Sequence, residues 1–137
     1  MKLPDEVQRD LVRQWIGKAD QDLAASEILL KNSARLQPVI AFHAQQAVEK
    51  YLKAVLVRHQ VYFPKTHDIG IVLDLVAACA PATAAALQEA TLLTPFGVEV
   101  RYPGDTPELL PGEDARAVEI ARQARDVVND LLNAYLS

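Results

Sequence analysis

The stretch PVIAFHAQQAVEKYLKAVLVRHQ, residues 38–60, decides the fold class. Ile40, Ala44, Ala47, Tyr51, Ala54 and Val55 recur at the three-to-four-residue spacing of one helix face. Phe42, Val48, Leu52 and Leu56 widen that stripe until most of the circumference is apolar. A helix of this kind is buried among other elements. Pro38 suits its first position, where the missing backbone N–H has no partner to lose. The polar residues His43, Gln45, Gln46, Glu49, Lys50 and Lys53 stand out against that background.

Working outward, residues 5 to 33 form a second long helical pattern through Val7, Leu11, Trp15, Ala19, Leu23 and Leu30. Pro4 marks its start, Asp5 and Glu6 suit the positive end of the helix dipole, and Asn32-Ser33 is its stop. Gly17 costs about 1 kcal/mol relative to alanine inside a helix, so the sequence predicts that another helix passes close to it. Residues 62 to 68 are a linker: Pro64 breaks the preceding helix, and Thr66 or Asp68 caps the next. A third helix is expected over 68–79 and a shorter fourth over 82–94. Residues 95 to 112 hold four of the eight prolines and three of the five glycines, so they read as a long loop. A short extended piece is expected there, at 98–102, and a loop of that length is more often functional or mobile than incidental. The last helix is expected over 113–136. The whole is an all-α, up-and-down four-helix bundle with one extra short helix and a long Pro/Gly-rich loop before the last helix.

Length and composition bound what this bundle can be. The chain of 137 residues is one domain, 1–137. Hydrophobic residues make up 50% and aromatics only 6%, so the core is aliphatic and the chain is not disordered. One cysteine, Cys79, excludes an internal disulfide and a multi-cysteine zinc site; among apolar neighbours it reads as a buried, inert thiol. The three histidines lack metal-ligand spacing, so neither a metal nor another cofactor is expected. The opening MKLPDEVQRD has no apolar core, which argues against a signal peptide, and the longest uncharged run is too short to span a bilayer. A cytoplasmic protein without a membrane partner is the expectation. A net charge of −4 argues against a general phosphate-backbone binder.

Charge is unevenly placed. Residues 43–67 hold all three histidines, four basic residues (Lys50, Lys53, Arg58, Lys65) and one acid, Glu49, so this segment is locally +3. Such a run is either a solvated helix face or a site for an anion, with ammonium groups as point charges and the N–H groups at Thr66–Asp68 as further donors. His43 is either a satisfied core histidine or part of that site, and Arg101-Tyr102 either anchors its loop or grips a phosphate or base.

Four blocks carry a family resemblance. Ala41-Phe42-His43-Ala44-Gln45-Gln46-Ala47-Val48-Glu49-Lys50-Tyr51-Leu52-Lys53-Ala54 resembles the signature helix of the HEPN (higher eukaryotes and prokaryotes nucleotide-binding) domain. Phe63-Pro64-Lys65-Thr66-His67-Asp68-Ile69 is similar to its next block, and Arg101-Tyr102-Pro103 to a third. Trp15-Ile16, Ala19, Asp22-Leu23 and Ala25 fit the opening helix. The resemblance implies a bundle like the C-terminal domain of kanamycin nucleotidyltransferase, a homodimer, and a nucleotide ligand. It also implies a minimal nucleotidyltransferase partner, often within a toxin–antitoxin pair. Many members are ribonucleases whose dyad is an Arg followed, after four to six residues, by a His in the last long helix. Here no arginine has a histidine at that spacing: Arg35 and His43 are separated by seven residues, Arg58 and His67 by eight. The last helix has Arg116, Arg122 and Arg125 but no histidine.

The expectation is therefore a non-catalytic HEPN protein, with no catalytic residues assigned, that binds a nucleotide or nucleotide-like anion. The contacts are His43, Lys50, Lys53, Lys65, His67, Arg101 and Tyr102. Two alternatives stand beside it: a ribonuclease toxin with an altered dyad, and a structural dimerisation module without ligand.

Overall fold

The structure is a computed structural model that describes residues 3–32, 36–97 and 108–137. Five α-helices and one 3-10 helix account for most of them: α1 (Asp5–Asn32), α2 (Gln37–Arg58), α3 (Ile69–Cys79), α4 (Pro81–Ala86), the 3-10 helix Gln88–Phe96, and α5 (Glu113–Leu136). No strand occurs among the described residues.

Helix α2 is the centre of the molecule. Fourteen of its 22 residues are buried, as its nearly all-round apolar pattern requires. It packs against α1, α5, α3 and the 3-10 helix. Gln8 near the start of α1 meets the end of α2, and Asp22 farther along α1 meets His43 near the start of α2, so the two run antiparallel. Arg9 bonds the Tyr135 carbonyl and Glu27 pairs with Arg122, so α1 and α5 are antiparallel as well.

The buried face of α1 runs through Gln8, Val12, Ala19, Leu23 and Ser26. It differs from the expected stripe at Val7, which is exposed, while Gln8 beside it is buried. Position 8 faces the end of α2, where carbonyls need donors, and a glutamine serves better there than a valine. The Gln8 amide donates to the Val57 carbonyl at 3.2 Å and also to that of Arg58. Gln60, with φ of 54°, closes α2: its N–H and that of Val61 return to the carbonyls of Val57 and Leu56. This pairing is the Schellman end of a helix.

Three expectations need correction. The fourth helix over 82–94 is two pieces: α4 stops at Ala86, and a 3-10 helix takes over from Gln88 to Phe96. Pro95 lies inside that second piece, so the loop begins at Gly97 and not at residue 95. The extended piece expected at 98–102 lies outside the described residues. Gly17 does not mark a helix crossing, because a Cβ placed there meets nothing within 4 Å among the described residues. Cys79 is half-buried at the end of α3; burial raises its thiol pKa, and its Sγ lies 3.5 Å from the Val76 carbonyl.

Gly17 is thus an exposed helix-interior glycine with no packing role. Gly17→Ala is expected to stabilise the fold by about 0.5–1 kcal/mol and to raise Tm by about 3 °C, read by thermal denaturation.

Candidate functional site

The polar residues of α2 divide between two buried or half-buried carboxylates. The first is Asp22, projected from α1. Its Oδ2 accepts from the Lys50 ammonium at 2.5 Å, and its Oδ1 lies 2.9 Å from Nδ1 of His43. Positions 43 and 50 are seven apart, two helical turns, so both side chains face α1. His43 is therefore neither a solvated residue nor a core one: its ring stands at the α1–α2 seam, half-buried, with its orientation set by a carboxylate.

The second carboxylate is Glu49, which is 3% exposed. Its Oε2 accepts from the Lys53 ammonium at 3.0 Å, one helical turn on. Its Oε1 lies 2.8 Å from Nδ1 of His67, brought in by the 61–68 linker, and 3.4 Å from Nε2 of Gln45. The Lys53 ammonium also sits 5.7 Å from the Trp15 ring centre and 5.5 Å from that of Phe63. Those rings meet edge to face at 6.0 Å and cover it with π faces that favour a cation. Gln45 fastens the linker: its amide donates to the His67 carbonyl at 2.9 Å while its Oε1 accepts from Gln46 at 2.6 Å. Gly97 packs on that amide so closely that a Cβ would come within 2.7 Å of Nε2.

A third polar contact lies on the α1 side. Tyr51, fully buried, donates its hydroxyl to Asp20 at 2.5 Å. Burial, then the Asp20 hydrogen bond and charge, push its phenol well above the ordinary range, so it remains a neutral donor.

The structure changes the sequence reading of this segment. Lys50 and Lys53 are not a pair of open cations, because each is held by its own carboxylate. Lys53, 7% exposed, faces the interior and does not reach solvent as a phosphate contact would need to. The N–H groups at the start of α3 are occupied as well: Asp68 accepts from Gly70 and Ile71, and Thr94 accepts from Ile69. The structure does bring Lys65 and His67 together on one exposed turn, and Lys65 has no ion-pair partner among the described residues. Arg101 and Tyr102 lie outside the described residues. The sequence marks Gln45 among the polar residues of α2 but gives no sign that Asp22, Trp15 and Phe63 are partners of that set. The Glu49–Lys53 pair was legible from its four-residue spacing; Asp22 was not, since it lies 28 positions before Lys50.

No group of three or more His, Cys, Asp or Glu side chains is placed to hold a metal ion among the described residues. No described helix is long and apolar enough to cross a membrane. The arginines of α5 face carboxylates: Arg116 meets Glu89 and Glu119, Arg122 meets Glu27, and Arg125 meets Asp126. An all-helical chain with this polar seam on α2, followed by the 63–69 turn, agrees with a comparison against family models, in which the HEPN domain matches residues 12–134.

The chain belongs to the HEPN domain family. No curated protein and no solved structure matched it. The HEPN match spans nearly the whole chain, from within α1 to the last turns of α5, and includes both carboxylate clusters. The family is one of nucleotide-binding and ribonuclease-type domains.

The Glu49–Lys53 pair makes a sharp energetic demand on this HEPN domain. Removing one member leaves the other charged and buried, which costs about 3–5 kcal/mol. Glu49→Ala is expected to destabilise by that amount, and Glu49→Leu combined with Lys53→Met by much less. Urea denaturation of the three proteins checks this.

Proposed function

We propose that this HEPN domain binds a nucleotide or nucleotide-like phosphate anion at the Lys65–Asp68 turn and the adjoining face of α2. It does so without cleaving RNA itself and acts with a minimal nucleotidyltransferase partner. The supporting observation is the exposed Lys65 beside a His67 ring held outward by a buried carboxylate. With Asp22 and Glu49 balanced by Lys50 and Lys53, the turn keeps its own cation facing solvent. Lys65 and His67 are the direct contacts in this reading. Lys50 and His43 border the site at the α1 seam, and Lys53 supports it from inside by holding Glu49. The other expected contacts, Arg101 and Tyr102, lie outside the described residues. The non-catalytic part rests on the missing Arg–His spacing and on α5 arginines that face carboxylates instead of a histidine.

A second reading, a ribonuclease with an altered dyad, is favoured by one observation: Glu49 orients His67 as a carboxylate orients a general base. The domain is also proposed to form a homodimer, supported by the exposed Leu36 and Val39 at the start of α2.

Calorimetric titration with nucleoside mono-, di- and triphosphates is expected to show binding that weakens as salt rises, since exposed charges are screened. Lys65→Ala is expected to weaken it by about threefold to tenfold, less than a buried charged hydrogen bond would give. No heat at millimolar ligand would leave the domain a structural module. Cleavage of a mixed RNA pool that is lost in His67→Ala would move the conclusion to the second reading.

Sedimentation at micromolar concentration is expected to give twice the 15.1 kDa chain mass. A monomer under those conditions overturns the dimer.

A further inference from the structure

Among the described residues, His67 is the one exposed side chain tied directly to the Glu49 network. Its side chain is 59% exposed, yet the residue is fastened at two points. Nδ1 lies 2.8 Å from Glu49 Oε1, and the backbone carbonyl accepts from Gln45 Nε2 at 2.9 Å. An ionised carboxylate only accepts hydrogen bonds. Contact with it places the imidazole proton on Nδ1 and leaves Nε2, in the uncharged ring, as a bare acceptor. Free imidazole side chains carry no such constraint.

The surroundings make this arrangement hard to reverse. Glu49 is ion-paired with Lys53, which offsets the cost of a carboxylate in a buried place. The Gln45 amide has one workable orientation: its nitrogen faces the His67 carbonyl and Glu49 Oε1, and its oxygen faces the Gln46 amide. Turning the amide over would set oxygen against oxygen. Gly97 closes the other side, where a Cβ would overlap the Gln45 amide nitrogen and carbon at 2.7 and 2.8 Å.

We propose that His67 meets its ligand as a hydrogen-bond acceptor through Nε2, and so selects a ligand carrying a hydroxyl, the sugar of a ribonucleotide, with Glu49 and Gln45 as positioning residues. The inference rests on the nucleotide-binding reading and assigns the two sides of the turn different tasks. Lys65 meets phosphate, and the His67 ring, when uncharged, meets the sugar, because a bare acceptor repels a phosphate oxygen and receives a hydroxyl proton.

Two measurements test it, and they fail separately. The first needs no ligand. Nitrogen-15 NMR of the imidazoles at pH 8.5, well above the ordinary histidine range, is expected to show His67 as the Nδ1–H tautomer. Gln45→Ala is expected to return it toward the mixture seen in a free side chain, with helix content checked by circular dichroism. Gly97→Ala, which crowds the same amide from outside, serves if Gln45→Ala does not fold. A wild-type His67 in the Nε2–H form, or a tautomer indifferent to both substitutions, overturns the proposal. The second compares ribonucleotides with their 2′-deoxy and 3′-deoxy counterparts at the same pH. One of the two hydroxyls is expected to contribute about fivefold to tenfold in affinity. His67→Ala is expected to erase that preference and His67→Gln, which keeps an acceptor, to retain part of it. Equal binding of ribo- and deoxyribonucleotides overturns the acceptor role while leaving the phosphate site standing. Absence of all binding overturns the functional reading on which this rests, and the NMR result then decides the tautomer alone.

Discussion

A carboxylate taken out of water destabilises the helix that carries it unless donors replace the lost hydration, and Glu49 stands in the most deeply buried helix of this chain. Its partners come from three directions: Lys53 one turn along α2, His67 from the linker, and Gln45 one turn back. Meeting that demand fixes more than the ion pair. It draws the 61–68 linker against α2, sets where α3 starts, and puts Phe63 and Trp15 over the Lys53 ammonium. The apolar residues of α2 make burial favourable in many registers, whereas the Glu49 network is satisfied in one. Buried polar groups with few compatible partners act here as the register of the fold.

The same logic holds at the α1–α2 seam. Ala19 and Leu23 supply apolar contact there, but small side chains slide past each other at little cost. Asp22, with His43 and Lys50, and Asp20, with Tyr51, pin the two helices over about two turns of α2. Gln8 closes the far end by taking the last carbonyls of α2. Three polar anchors spaced along α1 thus set the phase of α2, and with it the direction in which His43 and Lys50 face.

The helices were legible because periodicity and helix-breaking residues are local signals. Pro38 and Pro81 fall at the starts of α2 and α4, whereas α2 already ends at Arg58, six residues before Pro64. What was not legible follows from distance along the chain. A count of charges over 43–67 finds one acid, yet Asp22 enters from 21 residues before His43 and cancels Lys50. The site seen in sequence as a cationic patch is, in space, two compensated clusters with Lys65 at the edge. Gly17 misleads for the opposite reason: a local cost does not imply a distant contact, and none exists among the described residues. The 3-10 stretch Gln88–Phe96 carries apolar residues that serve either helix type, so its pattern does not announce the tighter winding.

The three histidines show how strongly neighbours, and not residue type, decide chemistry. They lie within 25 residues of one another in sequence, and each ends in a different environment. His43 and His67 both present Nδ1 to a carboxylate, one half-buried between two helices and one at the surface. His59, beside Arg58 at the end of α2, has its pKa lowered, first by desolvation and then by that guanidinium. Arg58 itself is drawn onto the Tyr135 ring, 4.0 Å from its centre, so its charge serves the packing of α5. A charge near a histidine therefore has two outcomes on one helix. Where the neighbour is a carboxylate, the ring is oriented and its remaining nitrogen is made available. At His59, desolvation and then a guanidinium disfavour protonation, and no side-chain hydrogen bond orients the ring among the described residues. Only the first arrangement, repeated at Asp22 and Glu49, produces a histidine with a defined outward nitrogen, and of the two only His67 is exposed enough to use it.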